Sequence, residues 1–152
     1  MLEALVADIQ LDFTDENGEP LAQADYIRRA AERSLPLVAT DLGVPYRLEG
    51  GECEVSPSMP GGHREAWLVR SKVLVCRLLR TQAAPRVDFS SGDKRVSRAS
   101  EATNYAALEK DLLSDYAALI AAENPNADAV LLRLEAQPLT YRIGSRHHHE
   151  RQ

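Results

Sequence analysis

The sequence has 152 residues, of which 44% are hydrophobic, and its 23 acidic and 18 basic residues give a formal net charge of -5. One domain with a substantial core is the expectation for this length, and the hydrophobic fraction argues against a disordered chain. The acidic balance argues against a protein whose main task is to grip nucleic-acid phosphates, because such binding depends on Lys and Arg side chains. The two cysteines form no CxxC pattern, which favours plain thiols in a reducing compartment.

The first part of the chain predicts two amphipathic helices. Residues 2–10 place apolar side chains on one helical face, and the stretch from Thr14 to Gly18 is typical of a turn. Residues 21–42 carry a second apolar stripe with arginines mostly on the other side. Pro36 lies inside this run and predicts a kink or a split into two helices. Gly43 follows it at the position that a helix C-cap favours.

The middle of the chain predicts a hairpin and then a buried helix. Residues 46–55 read as two short strands around a Gly-Gly turn, and the Pro-containing residues 56–62 as an extended segment. Residues 65–82 are apolar around most of the helical circumference, with a narrow polar seam centred on Arg70 and Arg77. A helix of this kind is buried, so its neighbours are expected to wrap it. It is too short and too charged to span a bilayer.

A second hairpin and a long helix are predicted next. Residues 86–97 alternate apolar side chains around a Ser-Ser-Gly-Asp turn. Ser100 is the expected N-cap of a helix over residues 101–123. The apolar side chains that predict its buried stripe are Tyr105, Leu108, Leu112, Tyr116, Leu119 and Ile120.

Residues 129–132 are apolar and predict a short strand or one helical turn. Residues 139–143 alternate between apolar and polar side chains, which predicts a strand. We therefore predict a mainly α fold: a small helical bundle around a buried central helix, with one or two short β-hairpins. The expected organisation is one domain over residues 1–143 and an extended, flexible polar tail over residues 144–152.

No dinucleotide-binding, phosphate-binding or metalloprotease motif occurs in the sequence, and no cofactor is expected. The run His147–His149 can bind a metal ion weakly, but His63 is the only other histidine. Because a structural zinc site needs four placed ligands, we expect a solvated tail or a purification tag and no metal site. The opening residues lack the basic segment of a secretory signal peptide.

A nucleophilic site could use Cys53 or Ser58 with His63 as its base. These residues lie on or beside a Pro/Gly-rich loop, and no acid is placed by the sequence to orient the imidazole. We therefore expect no enzymatic activity.

Three segments together resemble a known class of protein. They are the opening pair of helices broken at TDENG, the stretch SPSMPGGHREAWLVRSKVLVCRLL, and the stretch VDFSSGDKRVSRASEATNYAALEKDLLSDYAALI. Their order resembles the small head–tail connector proteins (adaptor or head-completion proteins) of tailed bacteriophages and prophages. The resemblance covers roughly residues 2–124 and rests on pattern and spacing.

This resemblance implies a helical-bundle subunit of a ring, commonly dodecameric, without enzymatic activity. The ring lies beneath the portal in the virion neck after assembly in the host cytoplasm, extends the DNA channel, and docks the tail or its stopper protein. The expected partners are further copies of the chain, the portal protein and a tail, stopper or other neck protein. Double-stranded DNA is expected only as passing cargo, and no membrane is expected.

Candidate contact residues follow from charge and from position along the chain. A head-to-tail ring needs two different, complementary faces. We expect one in the basic set that contains Arg29 and Arg33 together with Arg28, and the other in an acidic helix face. That face contains Glu109, Asp111 and Asp115. By position, the resemblance adds the second hairpin and the chain from residue 139 onward, with the residues Arg86, Lys94, Arg95, Arg98, Tyr141 and Arg142.

Two alternatives remain open at this point. The break near residues 15–18 could belong to a helix-turn-helix, which would make the chain a nucleic-acid-binding adaptor or a regulatory protein. A recognition helix should have a basic exposed face, and only the stretch from Arg28 to Arg33 comes close. The other alternative is a small hydrolase that uses Cys53 and His63.

Overall fold

The computed structural model describes residues 1–50, 54–83, 90–91, 94–95 and 99–124. The helices are α1 (Leu2–Asp12), α2 (Ala24–Leu42), α3 (Gly61–Ala83) and α4 (Ala99–Glu123). The strands are β1 (Arg47–Glu49), β2 (Glu54–Ser56), β3 (Ser90–Ser91) and β4 (Lys94–Arg95), which form two antiparallel hairpins. The mainly α fold is confirmed. The predictions for residues 129–132, 139–143 and the tail fall outside the described residues.

Helix α3 is the buried central helix that the sequence predicted. Trp67, Val73 and Val75 have no exposed surface. The polar seam of α3 is where α4 packs: the Arg70 guanidinium lies 5.2 Å from the centre of the Tyr116 ring. The polar seam of α3 therefore contacts α4 and is not simply a solvent-exposed surface.

Helix α2 packs on α3 through buried hydrogen bonds. Trp67 Nε1 donates to the carbonyl oxygen of Ala31 over 2.8 Å, and the hydroxyl oxygens of Ser34 and Ser71 lie 2.7 Å apart. These bonds give the indole and both hydroxyls partners within the protein, and Trp67, Ser34 and Ser71 have no exposed surface. Burial of polar groups is tolerated here because each group has a partner.

Pro36 neither splits α2 nor ends it, so of the two predicted alternatives, a kink or a split into two helices, the split does not occur. The helix continues to Leu42, and Thr40 Oγ1 donates to the Pro36 carbonyl oxygen over 2.8 Å. Pro36 has no N–H to donate to the carbonyl oxygen of Glu32, four residues earlier. Both residues are exposed, so water can donate to this carbonyl instead. The C-cap prediction is confirmed: Gly43 has φ 69°, and the Val44 N–H donates to the Ala39 carbonyl.

The predicted turn after α1 is built around one carboxylate. Asp15 Oδ1 accepts hydrogen bonds from the backbone N–H groups of Asn17 and Glu19, both over 2.8 Å, and these donors lower the pKa of Asp15. Gly18 follows with φ 79°. Helix α2 begins at Ala24, later than expected, and Leu21 stays in this connection with 40% of its surface exposed.

Helix α4 differs from its prediction in two places. It begins at Ala99, so Ser100 lies in the first turn and is not the N-cap. Tyr116 and Ile120 are buried as predicted, but Leu108 is 41% exposed and Glu109 takes the inward position. The cause is a pair of arginines on α3 that hold the Glu109 carboxylate, as described below.

Candidate interaction groove

An open groove of about 430 Å³ lies between α2 and α3. Its lining is Tyr26, Arg29, Ala30 and Arg33 from α2 and Leu74, Arg77, Leu78 and Thr81 from α3. The α2 residues precede Ser34 while the α3 residues follow Ser71, so the two helices run in opposite directions beside the groove. Leu74 and Leu78 stay half-buried on its floor.

Helical spacing explains why these side chains share one surface. Residues three and four apart stand on the same helix face, which places Tyr26, Arg29 and Arg33 in a row along α2. The same rule places Leu74 and Leu78 in a row along α3. Tyr26 is 42% exposed, so the groove combines an aromatic ring and an aliphatic floor with cationic groups.

The cationic groups of the groove differ in how they are held. Arg29 and Arg33 are exposed and form no ion pair with another described residue. Arg77 is fixed, since its Nε donates to Glu109 Oε1 over 2.6 Å. The other oxygen of Glu109 lies 2.7 Å from Arg80 Nη1. Arg29 and Arg33 are therefore the groove arginines with positive charge left for an outside partner.

Two members of the predicted charged faces are engaged inside the chain. Glu109 is buried and neutralised by Arg77 and Arg80, so its assignment to an exposed acidic face is wrong. Arg28 pairs with Glu3 of α1, which removes it from the predicted free basic set. A one-dimensional reading of charge could not show either pairing, because the partners come from other helices.

The other predicted acids are on the surface. Asp111 and Asp115 are exposed on α4, and neither is paired with a cation among the described residues. Asp111 and Asp115 follow the inward Glu109 by two and six residues, which turns them about 160° and 120° away from it around the helix axis. The two aspartates therefore lie on the side of α4 that faces away from α3.

The remaining predicted contact residues are described only in part or not at all. Lys94 and Arg95 form β4, which pairs with β3 in the second hairpin. Arg86, Arg98, Tyr141 and Arg142 lie outside the described residues. The structure thus brings Arg29 and Arg33 together in the groove and places the two aspartates on another surface.

His63 has two side-chain partners that the sequence analysis missed. Its Nδ1 lies 2.6 Å from the Tyr46 hydroxyl, and its Nε2 lies 3.4 Å from Glu123 Oε2. Burial, followed by the nearby Glu123 charge, raises the pKa of Tyr46. Because both ring nitrogens face these partners, neither is directed at Ser58 in this arrangement. Cys53 lies outside the described residues.

The described residues hold neither a metal-binding cluster nor a membrane-spanning helix. Within residues 1–50, 54–83 and the described parts beyond, no cluster of three His, Cys, Asp or Glu side chains could hold a metal ion. The described helices include none long and apolar enough to cross a membrane. The run His147–His149, where we expected no metal site, lies outside the described part of the chain.

Comparison with known proteins gave no relative. No protein-family model matches the chain, and no curated protein or solved structure matches it either.

Proposed function

We propose that this chain is a structural ring subunit of the virion neck in a tailed bacteriophage or prophage, located between the portal and the tail. The observation that carries the proposal is a pair of different, oppositely charged surfaces on one subunit. One is the groove with Arg29 and Arg33, which form no ion pair with another described residue, and the other is the outer face of α4 with Asp111 and Asp115. Different faces that complement each other are what a head-to-tail ring requires.

Two further features support this role. The order of elements over residues 2–124 resembles that of head–tail connector proteins, and the chain is mainly helical as that resemblance implies. The net charge of -5 suits a channel that double-stranded DNA traverses as cargo without being held. The ring would extend this channel and dock the tail, stopper or other neck protein; the resemblance suggests a dodecamer.

The contacts with the other neck proteins belong to the same proposal. We assign them to the second hairpin, which contains Lys94 and Arg95, and to the chain that includes Tyr141 and Arg142. The ring would act structurally, as a docking surface, and without catalysis.

The helix-turn-helix alternative fits less well. Helices α1 and α2 are joined by residues 13–23, which is eleven residues, whereas that motif joins its helices by about three or four. The basic face available for DNA is also reduced, since Arg28 pairs with Glu3.

The test is the molar mass in solution, measured by light scattering with and without a purified portal ring. A closed oligomer, formed alone or on the portal, is the expected result. A strict monomer that ignores the portal but binds duplex DNA would contradict the proposal and favour a nucleic-acid adaptor. Imaging of the portal complex then gives the subunit number.

A further inference from the structure

Leu108, Asp111 and Asp115 form an exposed row on α4 that we call the acidic ridge. Leu108 is 41% exposed, and the two aspartates follow it three and seven residues later, so all three lie along one side of the helix. The ridge offers one apolar anchor and two negative charges.

The groove offers the complementary groups. Tyr26, Leu74 and Leu78 give an apolar surface that could receive a leucine side chain, and Arg29 and Arg33 stand beside it. The arginines are four residues apart on α2, as the aspartates are on α4, so each pair spans about 6 Å along its helix axis. Two carboxylates on a helix laid in the groove can therefore meet two guanidinium groups in register.

The ridge cannot fill the groove of its own chain. Around the axis of α4, Leu108, Asp115 and Asp111 stand about 100°, 120° and 160° from the inward Glu109, so the ridge occupies the flank and the outer side of the helix. The groove lies between α3 and α2. Arg77 separates the two, since it lines the groove and is held by Glu109 from α4. Any contact between ridge and groove must come from another molecule.

We propose that the acidic ridge of one copy docks into the groove of a second copy, with Leu108 against the apolar floor and Asp111 and Asp115 paired with Arg29 and Arg33. This inference rests on the proposed function, because the same contact would repeat between neighbouring subunits around the ring. Each subunit uses two different surfaces, so the contact is heterologous and leaves a free groove and a free ridge at the ends until a ring closes.

The experiment is a charge exchange followed by sedimentation velocity over a range of protein concentrations at about 0.01 M salt, where the Debye length of about 30 Å leaves charge pairs little screened. We expect Arg29→Glu/Arg33→Glu and Asp111→Lys/Asp115→Lys each to weaken self-association about 100-fold, because like charges then face each other across the contact. The chain that carries all four substitutions should associate again, since opposite charges are restored in reversed order.

Matched controls separate this contact from general charge effects. Arg47→Glu changes the net charge as much as the single exchange Arg33→Glu does, at an exposed position outside both the groove and the acidic ridge. Glu16→Lys/Glu49→Lys does the same for the aspartate exchange. Both controls should associate like the unchanged protein. Circular dichroism of every variant verifies that it is folded.

A second pair of variants tests the apolar anchor. Leu108→Ser should weaken association, whereas Leu11→Ser on α1, which removes a leucine that is 75% exposed, should leave it unchanged. Equal effects of the two serine variants would overturn the role of Leu108 even if the charge exchange behaves as expected.

The outcomes distinguish this inference from the proposed function. If the variant with all four substitutions associates again, the contact between ridge and groove is supported. If that species is a closed dimer that does not bind the portal, the contact stands but the role in the virion neck is refuted. A ring that forms on the portal but responds to the exchanges no more than to the controls overturns the contact and leaves the neck role standing. A protein that stays monomeric at all concentrations, with and without the portal, overturns both.

Discussion

Replacing Ser34 and Ser71 by alanine should lower the stability of the fold additively, although the two hydroxyl oxygens lie only 2.7 Å apart. The pair is buried between α2 and α3. Ser34 Oγ is also 2.9 Å from the Ala31 carbonyl oxygen, and Ser71 Oγ is 2.7 Å from the Trp67 carbonyl oxygen. Three contacts are therefore short enough for hydrogen bonds, but a serine hydroxyl donates only one proton.

The number of hydroxyl protons determines how much unfolding free energy each variant loses. Two hydroxyls can donate two hydrogen bonds at any moment, a single alanine variant keeps one, and the double variant keeps none. Each buried bond contributes about 1 kcal/mol to the free energy of unfolding, so the single variants should lose about 1 kcal/mol each and the double variant about 2 kcal/mol. The coupling energy between Ser34 and Ser71 should therefore be close to zero. If all three contacts acted as full bonds, each single variant would lose two of them and the coupling would be about 1 kcal/mol.

The assay is urea unfolding of the four proteins of this cycle. The chain has one tryptophan, Trp67, which is fully buried beside the pair and reports loss of the contact by fluorescence. Circular dichroism gives a second probe for two-state behaviour. Ser114→Ala on the exposed surface of α4 is the control and should change little. A coupling energy of about 1 kcal/mol or more would refute the proton-counting argument.

Three other predictions use buried or crowded groups. Glu109→Gln should cost about 1–3 kcal/mol in urea unfolding, less than for a fully buried pair because the paired arginines are partly exposed; unchanged stability would mean that the ion pairs contribute nothing. Burial, and then the Glu109 charge, raises the pKa of Cys76 from 9.0 to about 11. In a Cys53→Ala variant, a thiol reagent at pH 8 should therefore label Cys76 far more slowly in the native protein than in denaturant, and rapid labelling of the native protein would contradict this. The thiol of the unfolded chain ionises at a lower pH than the buried thiol does. The stability that the neutral thiol contributes should therefore be lost as the pH rises from 9 to 11. Gly62→Ala would place its Cβ 2.0 Å from Glu123 Oε1, so the flexible Glu123 carboxylate must move away from it. The substitution should therefore stabilise the protein less than it stabilises a Glu123→Ala variant, in which about 0.5–1 kcal/mol of helix propensity is gained without this displacement; equal shifts of the melting temperature in the two backgrounds would argue against the crowding.

The central helix could be predicted from sequence because its signal is local. An apolar surface around most of α3 leaves burial as the only favourable placement, and neither length nor charge pattern allows a membrane. The turn at Asp15 and the C-cap at Gly43 are likewise determined by short-range backbone chemistry. These features need no knowledge of what lies across the fold.

The rotation of α4 could not be predicted because its signal is not local. Leu108 and Glu109 are neighbours, and hydrophobicity alone favours burying the leucine. The structure buries Glu109 because Arg77 and Arg80 of α3 meet its two oxygens at 2.6 and 2.7 Å. The partners of His63 were missed for a similar reason, since Glu123 is sixty residues further along the chain.

The exposed Leu108 and the open groove have a common origin in the packing of α3. A helix that is apolar nearly all round needs neighbours on every side, yet Leu74 and Leu78 are only half-buried after α2 and α4 have packed against it. The two flanking arginines on α2 favour an acidic neighbour for the remaining side, and the rotation that buries Glu109 leaves Leu108 outward with two aspartates beside it. The ion pairs that fix α4 on its own subunit thus also prepare the surface that we propose docks on the next subunit. Glu109→Gln should consequently weaken association as well as folding, whereas Ser71→Ala, with a similar loss of stability, should leave association unchanged.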